Sequence, residues 1–221
     1  PLQQRALAIR EKVLGPDHPD TARSLNNLAE TYNDFAQYDK ALPLQQRALA
    51  IREEVLGPDH LDTALTLSSL AFTYSALGQH DKTLSLYQRV LITFENALGP
   101  VHPDTALAWS NLAVTAKTAV SPTLGISFLK RAVNTYQSLR ERVVVVGSTE
   151  LKSYTVSIEA NYQALARWLT DEGRLPEAQH VLDMLKEEEQ FDFIRRSAPA
   201  DPRRTRMGYT PTEQQWMNRY Q

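Results

Sequence analysis

A repeat of 42 residues constrains the fold of this chain more than any other feature. The segment LQQRALAIREKVL begins at Leu2 and returns as LQQRALAIREEVL at Leu44, and a loop signature starts at Gly15, Gly57 and Gly99 with the same spacing. A constant period of this length arises when one supersecondary unit is stacked, because a single unit cannot bury its own apolar face. The sequence therefore predicts an array of similar units.

Each unit is predicted to be a pair of helices. Apolar residues recur at three- and four-residue steps from Thr21 to Phe35 and again from Ala41 to Leu56, which is typical of amphipathic helices. Gly57 is expected to end the second helix, because glycine readily adopts the left-handed conformation. The Asp-Thr pair that follows each loop is expected to cap the next helix. The pairs are Asp20–Thr21, Asp62–Thr63 and Asp104–Thr105.

The unit resembles the tetratricopeptide repeat. The resemblance rests on the order of small and large residues in the first complete copy, which are Leu25, Leu28, Ala29, Tyr32, Tyr38, Ala41, Gln45 and Ala48. The usual period of that family is about 34 residues. The longer period here is similar to that of kinesin light chain repeats and of many bacterial multi-repeat proteins. The resemblance covers Pro1 to about Leu139 and implies an all-α, right-handed solenoid of antiparallel helical hairpins.

The repeat signature is lost near Glu141, although helical patterns continue beyond it. Val143–Val146 fits either a short strand or an apolar helix end. Apolar stripes then follow from Leu151 and after Pro176, which predict a degenerate terminal hairpin. The predicted organisation is a second helix of a truncated repeat at 1–14, repeats at 15–140, the terminal hairpin at 141–197, and an Arg- and Pro-rich linker at 198–221 with a short helix begun at Thr210 or Thr212.

The stretch 150–197 carries a second resemblance. It is similar to the segment that, in bacterial proteins, joins a tetratricopeptide array to a CHAT domain, which is a caspase-like cysteine protease. The residues that carry it are Tyr162, Leu165, Ala166, Leu169, Gly173, Ala178, Leu182, Leu185, Lys186, Glu189, Phe193, Ile194, Arg195 and Arg196. It implies a protease domain beyond Gln221. Since Pro1 starts inside a repeat, the chain is expected to be part of a longer protein.

Composition excludes several classes of site. The chain has no cysteine, so it contains neither disulfides nor the thiolate that a cysteine protease needs. Its net charge of −2 and its 42% hydrophobic content are those of an ordinary soluble protein, and we expect a cytoplasmic location without a membrane partner. We expect no cofactor and no enzymatic activity.

Three histidines recur once per repeat in the loop signature, at His18, His60 and His102. Successive repeats are expected to hold them too far apart to share one metal ion, because zinc–nitrogen bonds are only about 2 Å long. The sequence therefore predicts that these histidines shape the loops and bind no metal.

The C-terminal tail combines arginines with one aromatic residue, and it is a candidate docking segment. Arg203, Arg204, Arg206 and Trp216 form the candidate set, with Arg195 and Arg196 upstream. A solvated linker is the favoured interpretation of this stretch, and docking on an acidic protein surface is the alternative. Nucleic acid is not favoured, because stacking aromatics are not interleaved with the arginines.

The predicted binding site is the groove lined by the first helix of each hairpin. The tetratricopeptide register implies that these residues line it: Arg23, Asn26, Glu30, Asn33, Asp34, Leu65, Ser68, Phe72, Ser75, Ala76, Leu107, Ser110, Val114 and Lys117. The resemblance to kinesin light chain repeats further implies that Asn26 holds the backbone of an extended peptide. Ser68 and Ser110 replace that asparagine in the next copies.

The middle of this groove is predicted to be apolar. Leu65, Phe72, Leu107 and Val114 indicate a hydrophobic floor that suits an apolar peptide or a helix. The alternative is that Phe72 and Val114 pack against a neighbouring helix or the tail, because exposed apolar patches are usually covered.

The function predicted from these features is a non-enzymatic scaffold that binds a protein or peptide. In this interpretation it is the sensing and regulatory arm of a larger CHAT protease protein. The alternative is a stand-alone cargo or assembly adaptor of the kinesin light chain type, without a protease.

Overall fold

A computed structural model describes residues 2–146, 151–194 and 207–220. All regular secondary structure in that part of the chain is helical. The helices are α1 Leu2–Leu14, α2 Pro19–Asp34, α3 Tyr38–Val55, α4 Leu61–Ala76, α5 His80–Leu98, α6 Pro103–Ala119, α7 Pro122–Val146, α8 Leu151–Asp171, α9 Leu175–Ile194 and α10 Pro211–Tyr220. They divide into two compact units, Pro1–Ala97 and Leu98–Gln221.

In the first unit each helix packs against the next one along the chain from α1 to α4, as expected for helical hairpins. The helices predicted from Thr21 and Ala41 are both present, with starts two to three residues earlier than the apolar pattern gave. Their apolar stripes meet in a core formed by Ala22, Leu25, Ala48 and Ile51, against which Leu7 and Leu44 pack. The two helices of a repeat therefore bury one another's apolar faces.

The repeated glycine ends the second helix of each repeat, as predicted. Gly15, Gly57 and Gly99 have positive φ angles of 96°, 93° and 88°. A side chain at this angle is strained, so the loop signature begins with the residue that the backbone requires. The second helices therefore end with the same 42-residue spacing as the loop signature in the sequence.

The residue that caps the first helix was predicted wrongly. The cap is the loop histidine, whose Nδ1 accepts the backbone N–H of the aspartate two residues later; the distances are 3.1 Å at His18, 3.1 Å at His60 and 3.2 Å at His102. The threonine hydroxyl has a different role, since Thr63 Oγ1 donates to the Gly57 carbonyl across the loop at 2.9 Å. One nitrogen of a neutral imidazole can accept a hydrogen bond, so the histidine serves as an N-cap.

In the second unit α6 packs on α7, α7 on α8, and α8 on α9. Trp109 is 1% exposed, and its ring lies 5.4 Å from that of Phe128 at a tilt of 46°. A Cβ at Gly125 would lie 2.6 Å from the Lys117 Cβ and 2.9 Å from the Ala113 carbonyl oxygen. Glycine at this position therefore allows α7 to approach α6 closely.

The terminal hairpin consists of α8 and α9, and α8 ends before Gly173, whose φ angle is 71°. Of the two alternatives at Val143–Val146, the structure has the helix end, because α7 continues to Val146. The boundary predicted between residues 140 and 141 lies inside α7.

Candidate functional site

The loop histidines are committed to capping. Each Nδ1 already accepts a backbone N–H, which leaves that nitrogen unable to bind a metal. Among the residues that the structure describes, no group of three or more histidine, cysteine, aspartate or glutamate side chains is arranged to hold a metal ion. The loops therefore contribute structure through their histidines.

The charged part of the predicted groove lies on α2. Arg23 is exposed and forms an ion pair with Asp20 at 2.9 Å. Asn26 is only 7% exposed, and its Nδ2 donates to Glu30 Oε1 at 2.8 Å and to the Ser69 hydroxyl at 3.4 Å. Its Oδ1 is buried without a hydrogen-bond partner. The amide predicted to hold a peptide backbone thus has its donor group engaged and only its acceptor unused.

Asn33 is likewise bound to the next repeat. Its Nδ2 donates to the Thr73 hydroxyl at 2.9 Å, and that hydroxyl is also within 2.7 Å of Gln45 Oε1. Three side chains from α2, α3 and α4 therefore share one buried polar contact. Asp34, at the end of α2, is exposed to solvent.

The apolar part of the predicted groove in the first unit lies on α4. Leu65 and Phe72 are each 51% exposed, and a spacing of seven residues places them on the same helix face. Ser68 and Ser75, which lie on that face between and beyond them, are partly buried, and Ala76 is exposed. The apolar residues on the opposite side of α4, such as Leu67 and Leu70, are in the core.

The equivalent face in the second unit lies on α6. Leu107 is 45% exposed and Val114 is 54% exposed, so the alternative in which Val114 is fully packed does not hold within this unit. Ser110 is buried and its hydroxyl donates to the Ala106 carbonyl at 3.0 Å. Lys117 is engaged by α8, since its Nζ lies 4.5 Å from the centre of the Trp168 ring and 3.9 Å from Asp171 Oδ2.

The tail forms a short helix that packs on α7. The helix predicted from Thr210 or Thr212 is α10, and Thr210 caps it: the Glu213 N–H donates to Thr210 Oγ1 at 3.3 Å, and the Thr210 N–H donates to Glu213 Oε2 at 2.7 Å. This reciprocal arrangement is a capping box. Trp216 is half-buried beneath Arg219 at 5.2 Å. Arg195, Arg196, Arg203, Arg204 and Arg206 lie outside the described residues.

A buried network of four charged side chains joins the tail to the body of the second unit. Lys130 of α7 is fully buried, and its Nζ lies 2.6 Å from Glu177 and 3.1 Å from Glu213. Arg174 holds both carboxylates, through Nε to Glu177 at 2.7 Å and through Nη1 to Glu213 at 2.7 Å. Two cations and two anions alternate here, so each charge has two opposite neighbours.

The network controls the ionisation of both carboxylates. Burial by itself would raise the pKa of Glu213, but hydrogen bonds from Arg174 and the Thr210 backbone, together with Lys130, hold that pKa below its usual value. The pKa of Glu177 is lowered in the same way by Arg174 and Lys130 against the effect of burial. Both side chains therefore remain charged in the folded protein at neutral pH.

The sequence contains a signal for this network in a departure from the repeat. Three consecutive repeats place glutamine at the equivalent position, at Gln4, Gln46 and Gln88, and the fourth places Lys130 there. A charged residue in place of a repeated glutamine indicates that the side chain at this position has different neighbours from its equivalents. Its partner Glu213 lies 83 residues away, so the contact itself could not be inferred locally.

Within the described residues, the structure has no helix that is long and apolar enough to cross a membrane.

A family model described as tetratricopeptide repeat matches residues 1–54, 34–91 and 62–138. No curated protein sequence matches the chain significantly. Among solved structures, BtubC (BKLC) from P. vanneervenii has a TM-score of 0.72 at 20% identity, with 90% of this chain and 75% of that chain covered. A Podosopora anserina putative kinesin light chain with nearly identical TPR-like repeats has a TM-score of 0.61 at 26% identity, with 88% and 87% covered. These similarities confirm the predicted all-α solenoid class.

Proposed function

This chain belongs to the tetratricopeptide repeat family, and on that premise we propose that it is a non-catalytic scaffold that binds a protein or peptide through the exposed faces of its first helices. Repeats of this family generally mediate protein or peptide binding. In the first unit the proposed face comprises the groove residues defined above on α2 and α4, and in the second unit it comprises those on α6.

The observation that carries the proposal is the exposure of Leu65 and Phe72. Both are large apolar side chains with half of their surface in solvent, and they stand on one face of α4. Apolar residues in adjacent positions on a surface are energetically unfavourable unless a partner covers them. Leu107 and Val114 repeat the same pair in the second unit.

The chemistry of the face favours a ligand with both apolar and polar groups. In the first unit α2 carries the exposed charges Arg23, Glu30 and Asp34, and Glu30 accepts a hydrogen bond from the Ser69 hydroxyl of α4 at 3.1 Å. A peptide that places an apolar side chain over Leu65 and Phe72 would have these charges within reach of its polar groups. Such a peptide gains its affinity from the apolar contact and its orientation from the charged ones.

The proposed biological role is the sensing and regulatory arm of a larger protein with a CHAT protease domain. The resemblance of residues 150–197 to the segment that precedes such domains supports this role. In that arrangement the cytoplasmic scaffold binds a partner, and the terminal hairpin α8–α9 transmits binding to the downstream domain in the same chain. A histidine and a later cysteine on an α/β pattern after Gln221 in the encoded protein would support this role.

The second candidate is a cargo or assembly adaptor that acts without a protease. It is favoured by the similarity to a structure described as a putative kinesin light chain. An encoded sequence after Gln221 that continues with repeats, or that lacks a catalytic histidine and cysteine, would support the adaptor over the protease arm.

The test of the binding face is a quantitative pull-down with Phe72→Glu. We expect wild-type protein to retain a partner from a lysate of the source organism and the variant to lose it, because a charge would be buried at the centre of the contact. The matched control is Ile92→Glu, since Ile92 is 57% exposed on the second helix α5. Circular dichroism verifies that both variants fold. Equal retention by both variants would contradict the assignment.

A further inference from the structure

Residues 207–220, called the tail segment below, occupy a surface of the second unit in the manner of a bound peptide. The surface is formed by α7 and the start of α9, and it is called the tail site. Met207 and Met217 of the tail segment are 4% and 3% exposed, whereas Gln214 and Asn218 on the outer side are exposed. The tail segment therefore contacts the body along one side only.

Asn134 of α7 holds the backbone of the tail segment. Its Nδ2 donates to the Met207 carbonyl at 3.0 Å, and its Oδ1 accepts the Met207 N–H at 2.8 Å. A side-chain amide that uses both of its groups on one residue's backbone recognises an extended segment without depending on that residue's side chain. This contact fixes the register of the segment.

The charged network supplies the side-chain specificity. Glu213 is fully buried between Lys130 and Arg174, and the third donor of Lys130 goes to the Gly208 carbonyl at 2.8 Å. Without the tail segment, Glu177 alone would face two cations. The tail site would then carry an excess positive charge that suits one carboxylate.

The tail site is an addition to the repeat, since the repeats of the first unit lack its residues. Positions equivalent to Lys130 and Asn134 are Gln46 and Ala50 on α3, and both are exposed. Lys130 and Asn134 both differ from their equivalents on α3, and both hold the tail segment. The helix α10 has only 10 residues, and a helix of that length is marginally stable without packing.

We propose that the tail site is a second peptide-binding site, and that the tail segment is its exchangeable intramolecular occupant. The partner that fits is a protein segment with a capping-box helix start, a glutamate at its third helical position, and methionine or a similar apolar residue at the places of Met207 and Met217. Such a partner must displace the tail segment, which belongs to the same chain and therefore competes at a high effective concentration.

The test uses the full chain with a weakened tail and a free peptide. The variant carries Glu213→Ala and Met217→Ala, and the probe is an acetylated, fluorescent peptide of residues 207–220. We expect saturable binding to this variant by fluorescence anisotropy, and binding at least about tenfold weaker to the wild-type chain, where the resident segment competes. A Glu213→Gln peptide should bind at least about tenfold more weakly, because it lacks the charge. A Gln214→Ala peptide is the matched control and should bind unchanged.

Three results would overturn the proposal: no binding to a weakened-tail variant whose circular dichroism equals that of the wild type, equal binding to variant and wild type, or equal binding of the Glu213→Gln peptide.

Hydrogen exchange on the unaltered wild-type chain provides an independent test that needs no variant. We expect amides of α10 to exchange at least about tenfold faster than those of α7. Equal protection of the two helices would show that the tail segment is a permanent part of the fold.

Discussion

The second helices of the two units share a repeat register but differ in what covers them. On α3 of the first unit, Gln46 and Ala50 are exposed, and Gln46 donates to the Tyr74 hydroxyl at 3.0 Å. On α7 of the second unit, Lys130 is fully buried beneath the tail segment. The same helix face is therefore open where the repeat is regular and occupied where it is not.

This difference shows how a repeat acquires a specific contact. The histidine cap of the first helix is kept in both units, at His60 and at His102. Substitutions at exposed positions of one copy then add new partners without altering the core. Departures from the period are therefore more informative about specific contacts than the period itself.

The largest effect is expected from Lys130→Ala. The substitution leaves Arg174 as the remaining cation that Glu177 and Glu213 share, and removal of one partner from a buried ion pair typically costs about 3 to 5 kcal/mol. Urea denaturation should show this loss in the second unit. Gln46→Ala is the equivalent substitution in the first unit and should cost about 1 kcal/mol or less, since it removes one neutral hydrogen bond. Similar losses of unfolding free energy at the two positions would contradict the difference between α3 and α7.

Gly125→Ala is expected to destabilise the second unit by about 1 to 3 kcal/mol, because the new Cβ would overlap α6. The thermal midpoint measures this change. Gly208→Ala is the control, since a Cβ there meets no atom within 4 Å. A higher midpoint for Gly125→Ala, as alanine's greater helix propensity alone would give, would contradict the close approach of α7 and α6.

His60→Ala in the first unit and His102→Ala in the second are expected to cost about 1 kcal/mol each, because each loses an N-cap. His60→Asn should restore most of the stability, since asparagine also accepts the N–H of Asp62. Chemical denaturation measures these costs. Equal costs would show that the caps contribute alike to both units, so that the two units differ at the tail site. A negligible cost would indicate that the Asp-Thr pairs do the capping after all.

Acidification is expected to have the smallest effect on stability, since the contact between Glu213 and its cations should not change near neutral pH. The folded pKa of Glu213 lies below its usual value of 4.5, so its contribution to stability is present above pH 4.5 and is lost as the pH falls through the folded pKa. The ionised groups that face it are Lys130, Arg174 and Glu177. NMR of the amides in α10 should show release only under acid conditions, and Glu213→Gln should remove that transition. Release that begins near neutral pH would contradict a lowered pKa.

The sequence predicted the parts of the fold that depend on neighbouring residues. The period, the hairpins, the glycine ends and the short helix after Thr210 were all inferred correctly, because each follows from local helix preferences. The histidine caps were missed because their role depends on the backbone geometry of the loop. Lys117 contacts Trp168, and Lys130 contacts Glu213. Both pairs are far apart in sequence, so no local pattern predicts either contact.

The candidate binding face was predictable to a similar extent. The register placed Leu65 and Phe72 on one face, and the structure leaves both half exposed. The register also assigned Asn26 to peptide binding, but the hydrogen bond from its Nδ2 to the Ser69 hydroxyl depends on how α2 and α4 pack. The groove residues as a set remain a prediction.

Site-specific photo-crosslinking is the most direct test of the claim that the first helices bind the partner. A benzophenone amino acid would be placed at Phe72 on α4 or, in a separate sample, at Ile92 on α5, since both positions are exposed. We expect a partner retained in the pull-down to crosslink from position 72 and not from position 92. Crosslinking from position 92 alone, or equally from both, would contradict it.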